Sequence, residues 1–298
     1  SLAAPLHFLG ELNNFFSDTR LVKKIGIYRT EYQISEAGEL LSTKQLTKQY
    51  ESLFTRFPKT EITFRLFDFS EDKNFVKSPR IEKNHDLRGI RFLIAEKKIL
   101  ESQLNALIKA AESTRHNLRI LIPYLSEMHE LHTIWDILQN LLPQKKNFSF
   151  ELGAMIETPT AVLAAITWEP FVDFFYVGTS DLLSALSAYQ RNQQEALQRT
   201  LLSDASCTVF SFLKQLMQKS KVTVCGEIVG EPWAIAYLRH FGFQNFVVPA
   251  HRIGTTANFL QMLTKEACAT YTRKIFKIKD EVNRLESARR MILDILYG

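Results

Sequence analysis

Three cysteines are few for a chain of 298 residues, and Cys207, Cys225 and Cys268 share no CxxC spacing. That excludes a structural zinc site and a disulfide scaffold, and points to a reducing, cytoplasmic setting. No apolar run is long enough to span a membrane, and no signal peptide is recognisable. No nucleic-acid-binding motif, internal repeat or low-complexity segment stands out. No Gly-rich phosphate loop follows an early strand, which argues against a doubly wound dinucleotide-binding sheet.

What remains is the composition of a globular protein. Hydrophobic residues make up 46% and charged residues 23%, enough for one large barrel or two ordinary domains. The net charge of +5 favours an anionic ligand, although many of the cations, as in KNFVKSPRIEK, belong on a solvated surface.

Eight short apolar runs recur along the chain: LHFLGEL (6–12), KIGIYRTE (24–31), EITFRLFDF (61–69), LRILIPYL (118–125), ELGAMIE (151–157), DFFYVGTSDL (173–182), KVTVCGEIV (221–229) and NFVVPA (245–250). Continuous apolar runs suit strands buried on both faces. Amphipathic stretches separate them, among them 43–54, 99–114, 128–142 and 207–220. Eight alternating β and α units predict an α/β fold, a (β/α)8 TIM barrel over residues 1–262. Residues 263–298 are predicted to form a C-terminal helix of some nine turns. Its stripe of Ile275, Ile278, Val282, Leu285, Ile292 and Leu296, interrupted by Arg289, packs either on its own barrel or on a partner chain.

Active sites of such barrels lie at the C-terminal ends of the strands. There the second run carries Arg29, Thr30 and Glu31, and the third carries Arg65 and Asp68, with Lys73 soon after. Glu157 ends the fifth; Gly178, Thr179, Ser180 and Asp181 end the sixth. The seventh holds Cys225 and Glu227, two residues apart and so expected on one strand face. These groups are either structural ion pairs or ligands. As ligands they make chemical sense together. Arginines grip phosphate and carboxylate through a planar fork. Two carboxylates such as Glu157 and Asp181 can hold Mg²⁺, which takes its other ligands from water and substrate. A thiol beside them serves as nucleophile or proton donor.

Six motifs in register, GIYRTEY (26–32), FRLFDFSEDK (64–73), LRGIR (87–91), AMIETPTA (154–161), FYVGTSDL (175–182) and VCGEIVGEP (224–232), resemble Enzyme I of the phosphoenolpyruvate (PEP):sugar phosphotransferase system, in its C-terminal PEP-binding barrel. The resemblance covers roughly residues 6–260. It implies that Arg29, Arg65, Arg88 and Lys73 bind the PEP phosphate, with Ser180 and Arg191 also at the substrate. It implies Mg²⁺ on Glu157 and Asp181. It makes Cys225 the general acid that protonates the pyruvate enolate, with Glu227 beside it. Its implied partners are a phosphohistidine domain, an HPr-type carrier protein and a second copy of the chain in a homodimer.

The sequence also departs from that pattern. Ser180 stands where the family has Asn, Gln190-Arg191-Asn192-Gln193 replaces Asp-Arg-Gly-Asn, Ser70 and Glu71 replace two glycines, and Tyr124 replaces Met. None of the seven histidines lies in a Gly-rich phospho-accepting segment. Two further readings stay open: a catalytically weak PEP-sensing module, and a related barrel enzyme acting on another 2-oxo acid.

Overall fold

The structure, a computed structural model, describes residues 2–6, 24–33, 40–69, 87–216 and 221–297. The fold is an α/β barrel of the TIM type, with strands in the order β1 to β8. The strands are β1 (Leu2–Leu6), β2 (Lys24–Arg29), β3 (Glu61–Arg65), β4 (Leu118–Ile122), β5 (Phe150–Ile156), β6 (Phe174–Gly178), β7 (Lys221–Cys225) and β8 (Asn245–Val247). Pairing is parallel in β2–β3, β3–β4, β4–β5, β7–β8 and β8–β1. Every residue of β4 and of β6 is buried; all are apolar but Arg119 of β4, which pairs with Glu151.

The chain groups into two compact units. One comprises Pro5–Met155 and Pro170–Phe174. Its helices are α1 (Thr43–Arg56), α2 (Ile90–Ala95), α3 (Lys97–Thr114) and α4 (Met128–Leu141). A capping box, Ser42 with Gln45, starts α1. Leu46, Tyr50, Leu53 and Phe54 then recur at helical spacing and are buried. Tyr50 and Phe54 meet Phe64 of β3 edge-on, each with ring centroids 5.3 Å apart.

The other unit comprises Ser1–Ala4, Ile156–Glu169 and Phe175–Gly298. Its helices are α5 (Pro159–Trp168), α6 (Thr179–Ser187), α7 (Gln194–Leu201), α8 (Asp204–Leu216), α9 (Pro232–His240), α10 (Ile253–Met262), α11 (Lys265–Phe276) and α12 (Glu281–Tyr297). Phe210 of α8 is at the centre of its aromatic core, against Tyr237, Phe241 and Phe243.

Two expectations change. The first strand is Leu2–Leu6, upstream of the apolar run at 6–12, whose residues from 7 onward lie outside the described residues. Parallel pairing of Leu2 with Phe246 and Ala3 with Val247 places the strand there, a long-range partner that local hydrophobicity does not reveal. The nine-turn terminal helix is two helices, α11 and α12. Asp280 breaks it: its carboxylate accepts the backbone N–H of Val282 and its carbonyl accepts that of Arg284, so a new helix is capped there. Arg284 is buried and fixes the bend, donating to Ile278 O at 2.7 Å, Leu202 O at 3.1 Å and Asp204 Oδ1 at 2.8 Å. Ile275, Leu285 and Ile292 are buried as the stripe predicts, but Val282 is exposed on the restarted helix.

Candidate active site

The arginine cluster begins with the register of β2 on β3, which sets Arg29 directly opposite Arg65. Arg65 is almost fully buried and forms ion pairs with Glu31 and with Asp68, the latter at 3.3 Å. Asp68 also receives Arg88, at 3.2 Å from Nε and 3.4 Å from Nη2. A single buried carboxylate thus joins two guanidinium groups. The Arg88 guanidinium also lies over the Tyr124 ring, 4.4 Å from its centroid. Tyr124 adopts a left-handed backbone, φ 58°, at the turn after β4. The same turn holds the start of α2 through Ile90 N to Pro123 O.

Arg29 is half-buried, and its Nε is a buried donor with no hydrogen-bond partner among the described residues. Buried donors are nearly always satisfied, so an unmet one marks a place for an acceptor. Tyr28 precedes it; burial pushes its hydroxyl up to about 12, so it stays neutral beside the arginines. Lys73, with Ser70 and Glu71, lies outside the described residues.

The carboxylate cluster is built differently. Glu157 follows β5 and is almost fully buried. A Cβ at Gly178 would come within 2.7 Å of Glu157 Cγ and Oε1, so the absence of a side chain there leaves room for the carboxylate. Ser180 and Asp181 sit in the first turn of α6, where a carboxylate is favoured by the helix dipole. Asp181 is buried and lies 3.2 Å from Arg191 Nε. Arg191 was expected at the substrate; the described geometry pairs it with the second of the two acids.

Among the described residues no group of three or more His, Cys, Asp or Glu is arranged to hold a metal ion. Two buried, hard-oxygen carboxylates fit Mg²⁺ nonetheless, because that ion typically takes one or two protein carboxylates and completes its shell with water and phosphate oxygens.

Cys225 ends β7, buried, with its thiol 3.5 Å from Val177 O. Its own carbonyl accepts from Thr179 Oγ1 at 2.9 Å, which ties β7 to the start of α6. The expectation that Cys225 and Glu227 share a strand face is not met. β7 stops at Cys225, and Gly226 turns the chain with φ 128°. A Cβ there would collide with Thr179 Oγ1 at 2.2 Å, so only glycine fits. Glu227 then falls in a single 3₁₀ turn, Glu227–Gly230, with its side chain exposed. The strand ends early because the close approach of Thr179 requires that glycine. None of the three cysteines is in a disulfide.

Residues 17–264 match the family model of the PEP-utilising enzyme, PEP-binding domain. The chain belongs to this family. It is 31% identical over 264 residues, 86% of its length, to the phosphoenolpyruvate-protein phosphotransferase of Chlamydia pneumoniae, of which it covers 44%. It is 27% identical over 270 residues to the protein of that name from Bacillus subtilis, covering 85% of this chain and 46% of the relative. The chain therefore spans less than half the length of these curated relatives. In fold it is similar to a HpcH/HpaI aldolase/citrate lyase family protein from Burkholderia cenocepacia, with a TM-score of 0.50, 13% identity, and 87% and 93% of the two chains covered. No helix among the described residues is long and apolar enough to cross a membrane.

Sequence reasoning missed Gln103. It donates from Nε2 to Thr30 Oγ1 at 2.8 Å and accepts the Phe67 N–H at 3.0 Å. The available signal was its position on the apolar stripe of α3, three residues after Leu100 and four before Leu107.

Proposed function

We propose that the chain is the PEP-binding barrel of an Enzyme I-type PEP–protein phosphotransferase, with residues 1–262 as barrel and 263–298 as helical extension. Arg29, Arg65 and Arg88, with Lys73, take the phosphate; Ser180 and Arg191 serve the substrate; Glu157 and Asp181 hold Mg²⁺. When bound, Mg²⁺ neutralises negative charge on the phosphate and carboxylate oxygens. The P–O bond of PEP breaks and the phosphoryl group passes to a histidine nitrogen on a separate domain, which later hands it to an HPr-type carrier. The enolate left behind takes a proton at its methylene carbon from the Cys225 thiol, giving pyruvate, and solvent reprotonates the thiolate. Glu227, exposed on the turn after Cys225, is placed to exchange protons with solvent. The protein works in the cytoplasm as a homodimer.

The observation that carries this reading is the pair of guanidinium groups on adjacent strand ends, with the buried Arg29 Nε lacking an acceptor among the described residues. Phosphate supplies acceptors in the geometry that arginine forks require. The name borne by the relatives and the family of the matched model support the same substrate. The test is solvent-proton exchange into the methyl group of pyruvate, with Mg²⁺ present. It needs only this chain, because no phosphohistidine takes part. The expected result is catalysed exchange, and a rate no faster than in buffer would count against the assignment of Cys225.

A weakly catalytic PEP-sensing module is the second reading. It is favoured by Arg191, whose charge offsets that of Asp181 at 3.2 Å. PEP binding without any exchange would support it.

A further inference from the structure

Gln103 is completely buried on α3, on the stripe that also buries Leu100, Leu104 and Leu107. Burying an amide without partners is costly, so its bonds explain its presence. Besides its contact with the Tyr50 hydroxyl, the amide bonds to groups that frame the arginine cluster. Oε1 accepts the N–H of Phe67, the residue before Asp68. Nε2 donates to Thr30 Oγ1, the residue after Arg29. That hydroxyl donates its own proton to the carbonyl of Arg65 at 2.6 Å. One side chain therefore links the end of β2, the end of β3 and the segment leading to the carboxylate shared by Arg65 and Arg88.

We infer that Gln103 is a positioning residue for the anion-binding arginines: it fixes the spacing of the Arg29 and Arg65 backbones and the seat of Asp68, which pairs with Arg88, and so the fit of the guanidinium groups to a phosphate-bearing substrate. The inference rests on the PEP-binding reading. Only a terminal amide at this reach supplies one donor and one acceptor to groups on two different strand ends. Methionine would fill the space and make neither bond. Glutamate would keep the acceptor and lose the donor. Asparagine is one methylene too short.

The test uses the 298-residue chain with Gln103→Met, Gln103→Glu and, as a core control on the same helix, Leu104→Ala. Three quantities are measured: PEP affinity by calorimetry with Mg²⁺, the melting temperature, and the Nε–H NMR signals of Arg65 and Arg88 without PEP. Gln103→Met should weaken PEP binding roughly tenfold, the worth of about one buried hydrogen bond. It should also shift both Nε–H signals. Leu104→Ala should lower the melting temperature at least as far and leave affinity within about twofold, since it shares no partner with the cluster. If Gln103→Met does not fold, Gln103→Glu carries the same expectation. Parallel losses of affinity and stability in Gln103→Met and Leu104→Ala, or a Gln103 variant with unmoved affinity and signals, would overturn the positioning role. Absence of PEP binding by the parent chain would instead remove the substrate assignment. The Nε–H signals would then decide alone, their movement supporting the role and their constancy overturning it.

Discussion

The arginine cluster after β2 and β3 and the carboxylate cluster after β5 and β6 are both buried and charged, yet they are stabilised in opposite ways. In the first, Arg65 pairs with Glu31 and Asp68, Arg88 pairs with the same Asp68, and Arg29 stands opposite Arg65 across the strands. In the second, Asp181 pairs with Arg191 and Glu157 is almost fully buried beside Gly178. The first is held by side chains: carboxylates, the Tyr124 ring and the Gln103 amide. The second is shaped by missing side chains, at Gly178 and Gly226, that let Glu157 and Thr179 approach the backbone. A cluster of bulky cations must be braced because a buried charge without a partner is expensive. The buried carboxylate of Glu157 needs clearance instead, which Gly178 provides. Under the proposed function the first construction serves the PEP phosphate and the second serves Mg²⁺.

Four substitutions probe that contrast. Cys225→Ala, beside the carboxylate cluster, should slow proton exchange into pyruvate by roughly two to four orders of magnitude. PEP affinity should stay nearly constant, which titration would check. Glu157→Gln should come next, weakening Mg²⁺-supported PEP binding roughly a hundredfold by removing half of the anionic pair. Binding in excess chelator should hardly change, and an equal loss in both conditions would erase the distinction between the clusters. Arg65→Lys should weaken PEP binding roughly tenfold or more whether or not Mg²⁺ is present, because a point charge cannot replace the fork. It should also destabilise the fold, since Glu31 and Asp68 keep their burial and lose a well-shaped partner; chemical denaturation would measure this. Arg284→Met, at the bend between α11 and α12, should have the smallest effect on function. It removes charge-assisted bonds worth about 1.5–3 kcal/mol in stability and should leave PEP affinity unchanged.

The strand ends were legible in the sequence because strands buried on both faces must be apolar, so the first charged residue after each run marks where the barrel opens. Arg29, Arg65, Glu157 and Asp181 were found in that way. The partners were not legible. Asp68 is only three residues after Arg65, but nothing local says that it also takes Arg88, or that Arg191 turns to Asp181, because those partners are far apart in sequence. Cys225 and Glu227 were misplaced relative to each other for a different reason. Strand periodicity was extended through Gly226, whose backbone is set by the distant Thr179. The break at Asp280 was hidden because Asp and Asn among lysines suit a solvent-facing helix and a helix cap equally well.

The central proposal is that the chain binds PEP and that Glu157 and Asp181 make that binding depend on Mg²⁺. Calorimetric titration of the chain with PEP, once with Mg²⁺ and once with excess chelator, tests it most directly. The account predicts binding that is much tighter with Mg²⁺, with the difference abolished in Glu157→Gln and retained in Arg65→Lys. Equal affinity in the two conditions, or no binding in either, would contradict it.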